Sequence, residues 1–457
     1  MDARGRLVPV RPADAFAKGE NEVFEIRTST GRRLKATANH PVLTPQGWKK
    51  VSELQKGALL AAARTLPVFS RTGGSLTLER MRLLGYMIGD GSYQRHRGLS
   101  FISADPLTFE DCISVAEREF GVTARRGQAN GTPEVDFVAT YPNEEGMMHG
   151  RPHGNPMREW LRELGVEGQS SFDKRIPEQV FFDASPGAVR SLLRALFSTD
   201  GCLTRRTYRN GTALWSLHYD TVSRGLADDV RDLLLRFGIV AQVSSGYMSK
   251  KATTPIYRVC VEDSRHLAAF CEQVGIEGRK QALVDQCAAE LITRRSKSQV
   301  DRLPVGVTQA LWAQKGFSWR ALGFRLQTGK TLDRPRGAEL AERLNAGDVL
   351  ERATDDILWD RVVEITPRGS DIVFDLVMPG THTFIASGIT CHNSGELEQV
   401  SDLVIFIYRE DYYNAETEKK NIAEIIIAKH RNGPIGTIEL FFHREHGKFA
   451  NLARSRA

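Results

Sequence analysis

Apolar and polar residues alternate with a period of two at both ends of this chain and with a helical period through most of its middle. Glu22-Val-Phe-Glu-Ile-Arg-Thr28 and Gly31–Thr37 read as the strands of a hairpin turned at Ser29–Gly31. Strand patterning returns at Ile357–Ile365. It ends in Val373-Phe-Asp-Leu-Val377 and Thr383-Phe-Ile-Ala386, two strands around the turn Pro379-Gly380. Between these ends, Leu83–Gly91 and Leu193–Gly201 echo each other. Each carries small residues four apart, Gly85 with Gly89 and Ala195 with Thr199, so each helix presents one small face. Each ends at Asp-Gly, with the glycine predicted as a C-terminal cap.

The segments after these motifs repeat too. Leu99–Ser103, Phe109–Phe120 and Gly121–Ala124 predict strand, helix and strand, as do Leu214–Tyr219, Val222–Phe237 and Gly238–Val243. A repeat at this separation predicts a duplicated unit. A polar stretch follows from Arg294, then helical spacing at Thr308–Lys315 and Ala338–Asn345, broken at Gly316 and Gly329. Beyond Ser394 the pattern predicts a helical turn, an apolar strand, and a hairpin turned at Asn432-Gly433.

At 457 residues there is room for about three domains, and 41% apolar with 26% charged residues is ordinary for a chain with a packed core. No apolar run approaches the roughly 20 residues needed to cross a bilayer. No signal-peptide core follows Met1. Six cysteines without CxxC spacing predict a reducing, cytoplasmic setting. A net charge of +6 permits a nucleic-acid partner without requiring one.

Chemistry concentrates at four places. In His392-Asn393-Ser394 the Asn side-chain amide can attack its own backbone carbonyl and cut the chain after itself. The imidazole supplies a proton as the bond breaks, and the serine hydroxyl can accept an acyl group. Thr37 and His40 stand together at a strand end, a pair able to polarise a scissile amide. The string Thr37-Ala-Asn-His-Pro-Val-Leu-Thr-Pro-Gln-Gly-Trp48 resembles the second block of inteins of the Hedgehog/intein fold. The stretch ending at Ser394 resembles their C-terminal blocks. That resemblance implies an all-β splicing domain with Asn393 as its last residue and Ser394 as the first residue of the C-terminal extein. It implies that Asp375 and His382 assist the central transfer and that His392 serves Asn cyclisation. Alternation alone would place Asp375 on the solvent face. The family's opening block, with its nucleophile, is not in this sequence, so a missing N-terminal intein and extein segment is an expected partner.

Asp90 and Asp200 end the two duplicated helices, and paired carboxylates of this kind bind Mg²⁺ and prepare a hydroxide for a phosphodiester. The two motifs resemble the LAGLIDADG, or dodecapeptide, homing endonucleases. This implies Asp90 and Asp200 as metal ligands and saddle-shaped sheets that track double-stranded DNA. A lysine often joins such sites, and Lys174, Lys250 and Lys251 are all candidates. Arg125, Arg126, Arg205, Arg206 and Arg209 flank predicted strands, where they can meet phosphates. Gly323–Thr331 is not a phosphate-binding loop, because five residues separate its glycines where four are needed and no apolar strand precedes it.

From Ser394-Gly-Glu-Leu-Glu-Gln to Ile425-Ile-Ile-Ala-Lys-His-Arg-Asn-Gly-Pro434, the chain resembles the end of the ATPase domain of DnaB-type replicative helicases. Lys429 and Arg431 would then reach the nucleotide of a neighbouring subunit. Assembly into a homohexamer and use of ATP with Mg²⁺ would belong only to the complete helicase.

The sequence therefore predicts a multidomain chain. Residues 1–68 and 355–393 form a discontinuous all-β splicing domain, and 75–290 a duplicated α/β endonuclease. Residues 291–354 form a helical linker or DNA-contacting module, and 394–457 an α/β RecA-like fragment. The rival expectations are an endonuclease within a defunct splicing shell and an inactive relic.

Overall fold

The computed structural model describes the chain except residues 3, 11, 13, 67–75, 96–97, 140–146, 149–150, 153, 210–212, 245, 247–253, 293–299, 313–330, 379–381, 394–402, 414–416, 418, 431–432, 445–447 and 453–457. Strands from the two ends of the chain share one sheet. Asp14–Thr28 runs antiparallel to Ile357–Val377 along most of its length, from Asp14 opposite Val377 to Thr28 opposite Val362, with irregularities in the register. Arg33–Thr37 adds to one side of this ribbon. Leu59–Ala63 adds to the other and leads to Ile389–His392, Pro41–Thr44 and Gly47–Lys50. Ile26, Leu34, Val42, Leu60, Val362, Ile389 and Cys391 are buried together under this sheet. Cys391 is thus a small core side chain.

The predicted duplication is visible in two four-stranded sheets of the same order. Gly91–Ser92, Leu99–Ile102, Thr132–Ala139 and Val122–Ala129 form the first. Gly201–Thr207, Ala213–Thr221, Tyr257–Val261 and Gln242–Val243 form the second. Each sheet follows a motif helix, Leu78–Asp90 or Pro186–Asp200. The small faces let these helices touch: a Cβ on Gly85 would lie 2.8 Å from that of Ala195, and one on Gly89 would collide with Thr199. Each motif glycine caps its helix as expected, the Gly91 N–H donating to the Met87 carbonyl and the Gly201 N–H to that of Phe197. Gly91 (φ −84°, ψ 154°) and Gly201 (φ −72°, ψ 143°) are extended, conformations open to any residue. Their requirement is space, since a Cβ on Gly91 would sit 2.5 Å from the Met87 carbonyl oxygen and one on Gly201 would strike that of Phe197.

Helices Val305–Trp312, Arg334–Arg343 and Gly347–Thr354 build a small core around Leu303, Leu311 and Leu340. The helical spacing predicted for 308–315 and 338–345 falls on the first two, as far as they are described. An ionic knot joins this module to the rest. Asp301, with no solvent exposure, is paired with Arg64 at 2.9 Å, Arg334 at 2.8 Å and Arg265 at 3.5 Å. Arg334, itself buried, also pairs with Asp355 at 2.8 Å. Burial opposes the Asp301 charge, but Arg64 and Arg334 outweigh it and hold the carboxyl below its usual range. Replacing Asp301 by Ala strands these cations and costs about 3–5 kcal/mol of stability. Denaturant unfolding checks this, and a loss under about 1 kcal/mol would refute it.

The last sheet, Leu403–Tyr408, Ile422–His430, Gly436–His443 and Lys448–Asn451, contains the apolar strand and the hairpin read from sequence. Ile405, Phe406 and Ile407 are exposed in succession, so both faces of that strand lie uncovered among the described residues.

Candidate functional site

Two constellations stand out, one at each end of the argument from sequence. At the first, Thr383–Ala386 and Ile389–His392 form a tight hairpin that places Thr383 opposite His392, a pairing the alternation pattern did not reveal. Asn393 follows and is buried. Its backbone N–H donates to the His382 carbonyl at 2.9 Å. His382 is a non-glycine residue at φ 53°, a conformation held by its surroundings. His392 Nδ1 lies 2.8 Å from the Asn393 carbonyl oxygen. A carbonyl only accepts, so Nδ1 carries the proton and donates. The Asn393 side-chain oxygen is buried without a hydrogen-bond partner among the described residues.

Trp48 packs edge-on against the His392 ring, with centroids 5.0 Å apart, and the His382 ring lies 6.2 Å from it. His40 stands beside Phe384 at 6.1 Å. Burial pushes the His40 imidazole below its ordinary range. Asp375 opposes that shift, while His392 and Lys18 add to it. Asp375, His392 and Lys18 therefore all lie within electrostatic reach of His40. Thr37 ends its strand opposite Val23, and its carbonyl accepts from the His40 N–H at 3.1 Å. Asp375 is not the solvent-facing residue that alternation suggests. It is half-buried and ion-paired with Lys18 at 2.9 Å, because Lys18 lies on the strand running antiparallel to it. Ser394 lies outside the described residues.

At the second constellation, the helix contact brings Asp90 and Asp200 within electrostatic reach of each other. Burial first, and the Asp200 charge second, push the Asp90 carboxyl up to about 6, with Lys174 and Lys280 opposing. Asp200 is also raised, by burial, against the same two lysines. Lys174 donates to the carbonyls of Gly89 at 2.7 Å and Gly91 at 3.1 Å, and its ammonium sits 5.5 Å over the Tyr93 ring. Burial lowers it to about 8. Lys280 does the same at the second motif, donating to Ser198 at 3.0 Å and to Thr199 and Gly201 at 2.7 Å each.

Lys280 was not among the candidates read from sequence, while Lys250 and Lys251 lie outside the described residues. The duplication held the signal: Lys174 follows Asp90 by 84 residues and Lys280 follows Asp200 by 80. Among the described residues no group of three or more acidic, His or Cys side chains is arranged to hold a metal. Two neighbouring carboxylates, Asp90 half-buried and Asp200 exposed at its helix end, nonetheless suit a divalent cation completed by water and phosphate oxygens. The main-chain carbonyls beside them are already taken by lysine.

Arg125 and Arg126 are exposed on Val122–Ala129, and Arg126 is forked onto Glu110 at 2.5 and 2.7 Å. Arg205 pairs with Glu290 at 2.9 Å, Arg206 stacks 5.3 Å over Tyr208, and Arg209 is exposed. In the last sheet Lys429 sits in strand Ile422–His430 opposite Val404, and Arg431 lies outside the described residues.

Residues 12–393 match the family model of the intein splicing domain, and the chain belongs to that family. Residues 388–451 match the DnaB-like helicase C terminal domain. The intein match that carries the duplicated insert thus runs into a segment matching the end of DnaB-like helicases. It is 36% identical to the replicative DNA helicase DnaB of Rhodothermus marinus over 98% of this chain and 48% of that protein. It is 62% identical over 61 residues to the replicative DNA helicase DnaC of Bacillus subtilis, 13% of each chain. The chain thus spans about half the length of the long DnaB relatives it matches. A crystal structure of I-DmoI in complex with DNA and Mn covers 44% of this chain and 97% of its own, with 10% identity and a TM-score of 0.30.

Proposed function

We propose that this chain carries out the C-terminal half of protein splicing and that its insert cuts double-stranded DNA at a specific site. The observation carrying the splicing reading is the hydrogen bond from His392 Nδ1–H to the carbonyl of Asn393 itself. That bond polarises the carbon which the Asn393 side-chain nitrogen attacks, and it strengthens as negative charge develops on the oxygen. The ring closes to a succinimide, the bond to the Ser394 nitrogen breaks, and the departing amine takes up a proton. Before that step Ser394 accepts the acyl group delivered from an upstream segment. Asp375 and His382 assist this transfer, and Thr37 and His40 act at the upstream junction. After ligation, residues 394–457 complete a replicative helicase, a homohexamer in which Lys429 and Arg431 reach a neighbouring subunit's ATP and Mg²⁺.

In the insert, Asp90 and Asp200 would hold Mg²⁺, with the Lys174 and Lys280 ammonium groups beside them; a divalent cation there would supply a hydroxide at neutral pH and charge neutralisation for a phosphodiester. No helix among the described residues is long and apolar enough to cross a membrane, and the cytoplasm is the setting proposed for the complete protein.

The test of splicing supplies an N-terminal intein segment in trans. The chain is co-expressed with a tagged segment that begins the intein and carries its nucleophile. A product joining the tag to residues 394–457, absent with Asn393→Ala, is the result expected. A folded chain that never yields it overturns the reading.

A further inference from the structure

The turn of the first hairpin, Thr28–Arg32, is gripped from two sides. On one side is the insert. The Val243 N–H donates to the Thr30 carbonyl at 2.9 Å, and Arg224 Nη2 to that of Gly31 at 2.5 Å. Gly31, at φ 84°, leaves no room for a side chain, since a Cβ there would strike the Val243 carbonyl. Arg224 is held in turn by Asp228 at 2.8 and 3.0 Å. Leu235 and Val240, also of the insert, share a buried cluster with Ala62, Ala63 and Leu358 of the splicing sheet, and Ile385 packs against it.

On the other side is the hairpin that ends at His392. The Arg32 side chain, 1% exposed, runs against its turn: a Cβ on Gly388 would lie 2.6 Å from Arg32 Nε and 3.1 Å from Cδ. Arg32 Nη2 donates to the Ala63 carbonyl at 3.0 Å, and the Ala63 N–H donates to the Gly388 carbonyl at 2.8 Å. Arg32 Nη1 donates to Thr30 Oγ1 at 2.5 Å and lies 3.4 Å from Asp360 Oδ2, a carboxylate with no side-chain exposure. Asp360 also accepts from Ser29 Oγ at 2.8 Å and from the Thr30 N–H at 3.2 Å. Arg32 Nε is buried without a hydrogen-bond partner among the described residues.

A buried ion pair that orphans one donor is a poor device for stability, because well-packed apolar residues of like volume commonly do as well. What this pair fixes is geometry. Arg32 ties the turn that the insert grips to the turn of the catalytic hairpin, whose far end, His392, stands four residues on and about 13 Å along the strand. We propose that Arg32 is a positioning residue for scission at Asn393, and that the insert holds it in place through Val243 and Arg224. With that hold released, the hairpin pivots at Gly388 and the His392 Nδ1–H spends less time on the Asn393 carbonyl. The effect on rate rests on the splicing reading, and the hold on the hairpin does not.

Two quantities are measured in the full chain. Scission at Asn393 is followed by intact mass. Amide hydrogen exchange across residues 383–393 is followed by mass spectrometry in the Asn393→Ala chain, which cannot cut itself. Arg32→Lys keeps a charge opposite Asp360 but not the flat group against Gly388. Arg224→Ala leaves the splicing core untouched and guards against a folding defect in the first variant. Arg32→Lys is expected to slow scission roughly 10-fold and Arg224→Ala roughly 3-fold, each speeding exchange of the hairpin by a similar factor. The double variant is no slower than Arg32→Lys, because the two act along one path; unrelated losses of stability would multiply instead. Arg162→Ala, which breaks an exposed pair with Glu167 on the first repeat, changes neither quantity.

Unchanged exchange in both variants overturns the proposal, as do effects on rate that multiply. Faster exchange with unchanged scission refutes the positioning role. If the parent chain never splits, the splicing reading fails, and exchange alone decides whether Arg32 and Arg224 hold the hairpin.

Discussion

Asn393→Ala abolishes scission between residues 393 and 394, and His392→Ala slows it by about 10²-fold, the lower end of what a positioned proton donor contributes. The two effects differ because the groups do different work. Asn393 carries the nucleophile, and removing it leaves no atom to close the ring. His392 polarises the carbonyl and serves the departing amine. Without it the buried backbone geometry persists, since Asn393 is still tied to His382 at 2.9 Å. Trp48, packed 5.0 Å from the imidazole, fixes the ring that makes this bond. Intact mass spectrometry of each variant over time checks both outcomes. An Asn393→Ala protein that still splits at this bond would show that cleavage there is simple hydrolysis.

Asp90→Asn abolishes DNA cutting and at the same time stabilises the metal-free fold. The Asp90 carboxyl is held at about 6 against an ordinary 3.8, by burial and by Asp200. Between those values the folded chain keeps a proton that the unfolded chain has released. This contribution to stability therefore grows as pH falls through 6, and at pH 7 the ionised group costs roughly 1–3 kcal/mol. Cutting is expected to have the opposite dependence, because Asp90 and Asp200 would hold a divalent cation only as carboxylates. Activity is lost as pH drops below about 6, where the metal-free protein becomes more stable. Melting in EDTA, compared at pH 7 and pH 5, separates the two curves. Asn at position 90 removes the cost at pH 7 and flattens the stability curve. A variant less stable than its parent at pH 7 would contradict the assignment.

Much of the architecture was legible because it is written in local periods. The strands at both ends, the duplicated strand-helix-strand units and the small faces of the motif helices follow from spacing alone. What escaped was decided by partners distant in sequence. Asp375 sits at an outward register position, yet Lys18 from the paired strand covers it. Gly91 and Gly201 were legible as helix caps, but not that the preceding turn of each helix leaves no room for a side chain there. Lys280 comes from a turn after the second repeat's last strand, and no local motif marks it. Only its offset from Asp200, matched to that of Lys174 from Asp90, could have pointed there. Thr383–Ala386 was read as a strand, but its hairpin partner Ile389–His392, which presents His392, is only four residues long, too short for alternation to mark.

Self-cleavage at Asn393 is tested most directly by the intact mass of the purified chain followed over days. The prediction is a slow split into residues 1–393 and 394–457 whose masses add to that of the parent with no water gained, since the larger piece ends in a succinimide. A chain that stays whole while folded, or pieces that together carry one added water from the first time point, would contradict it.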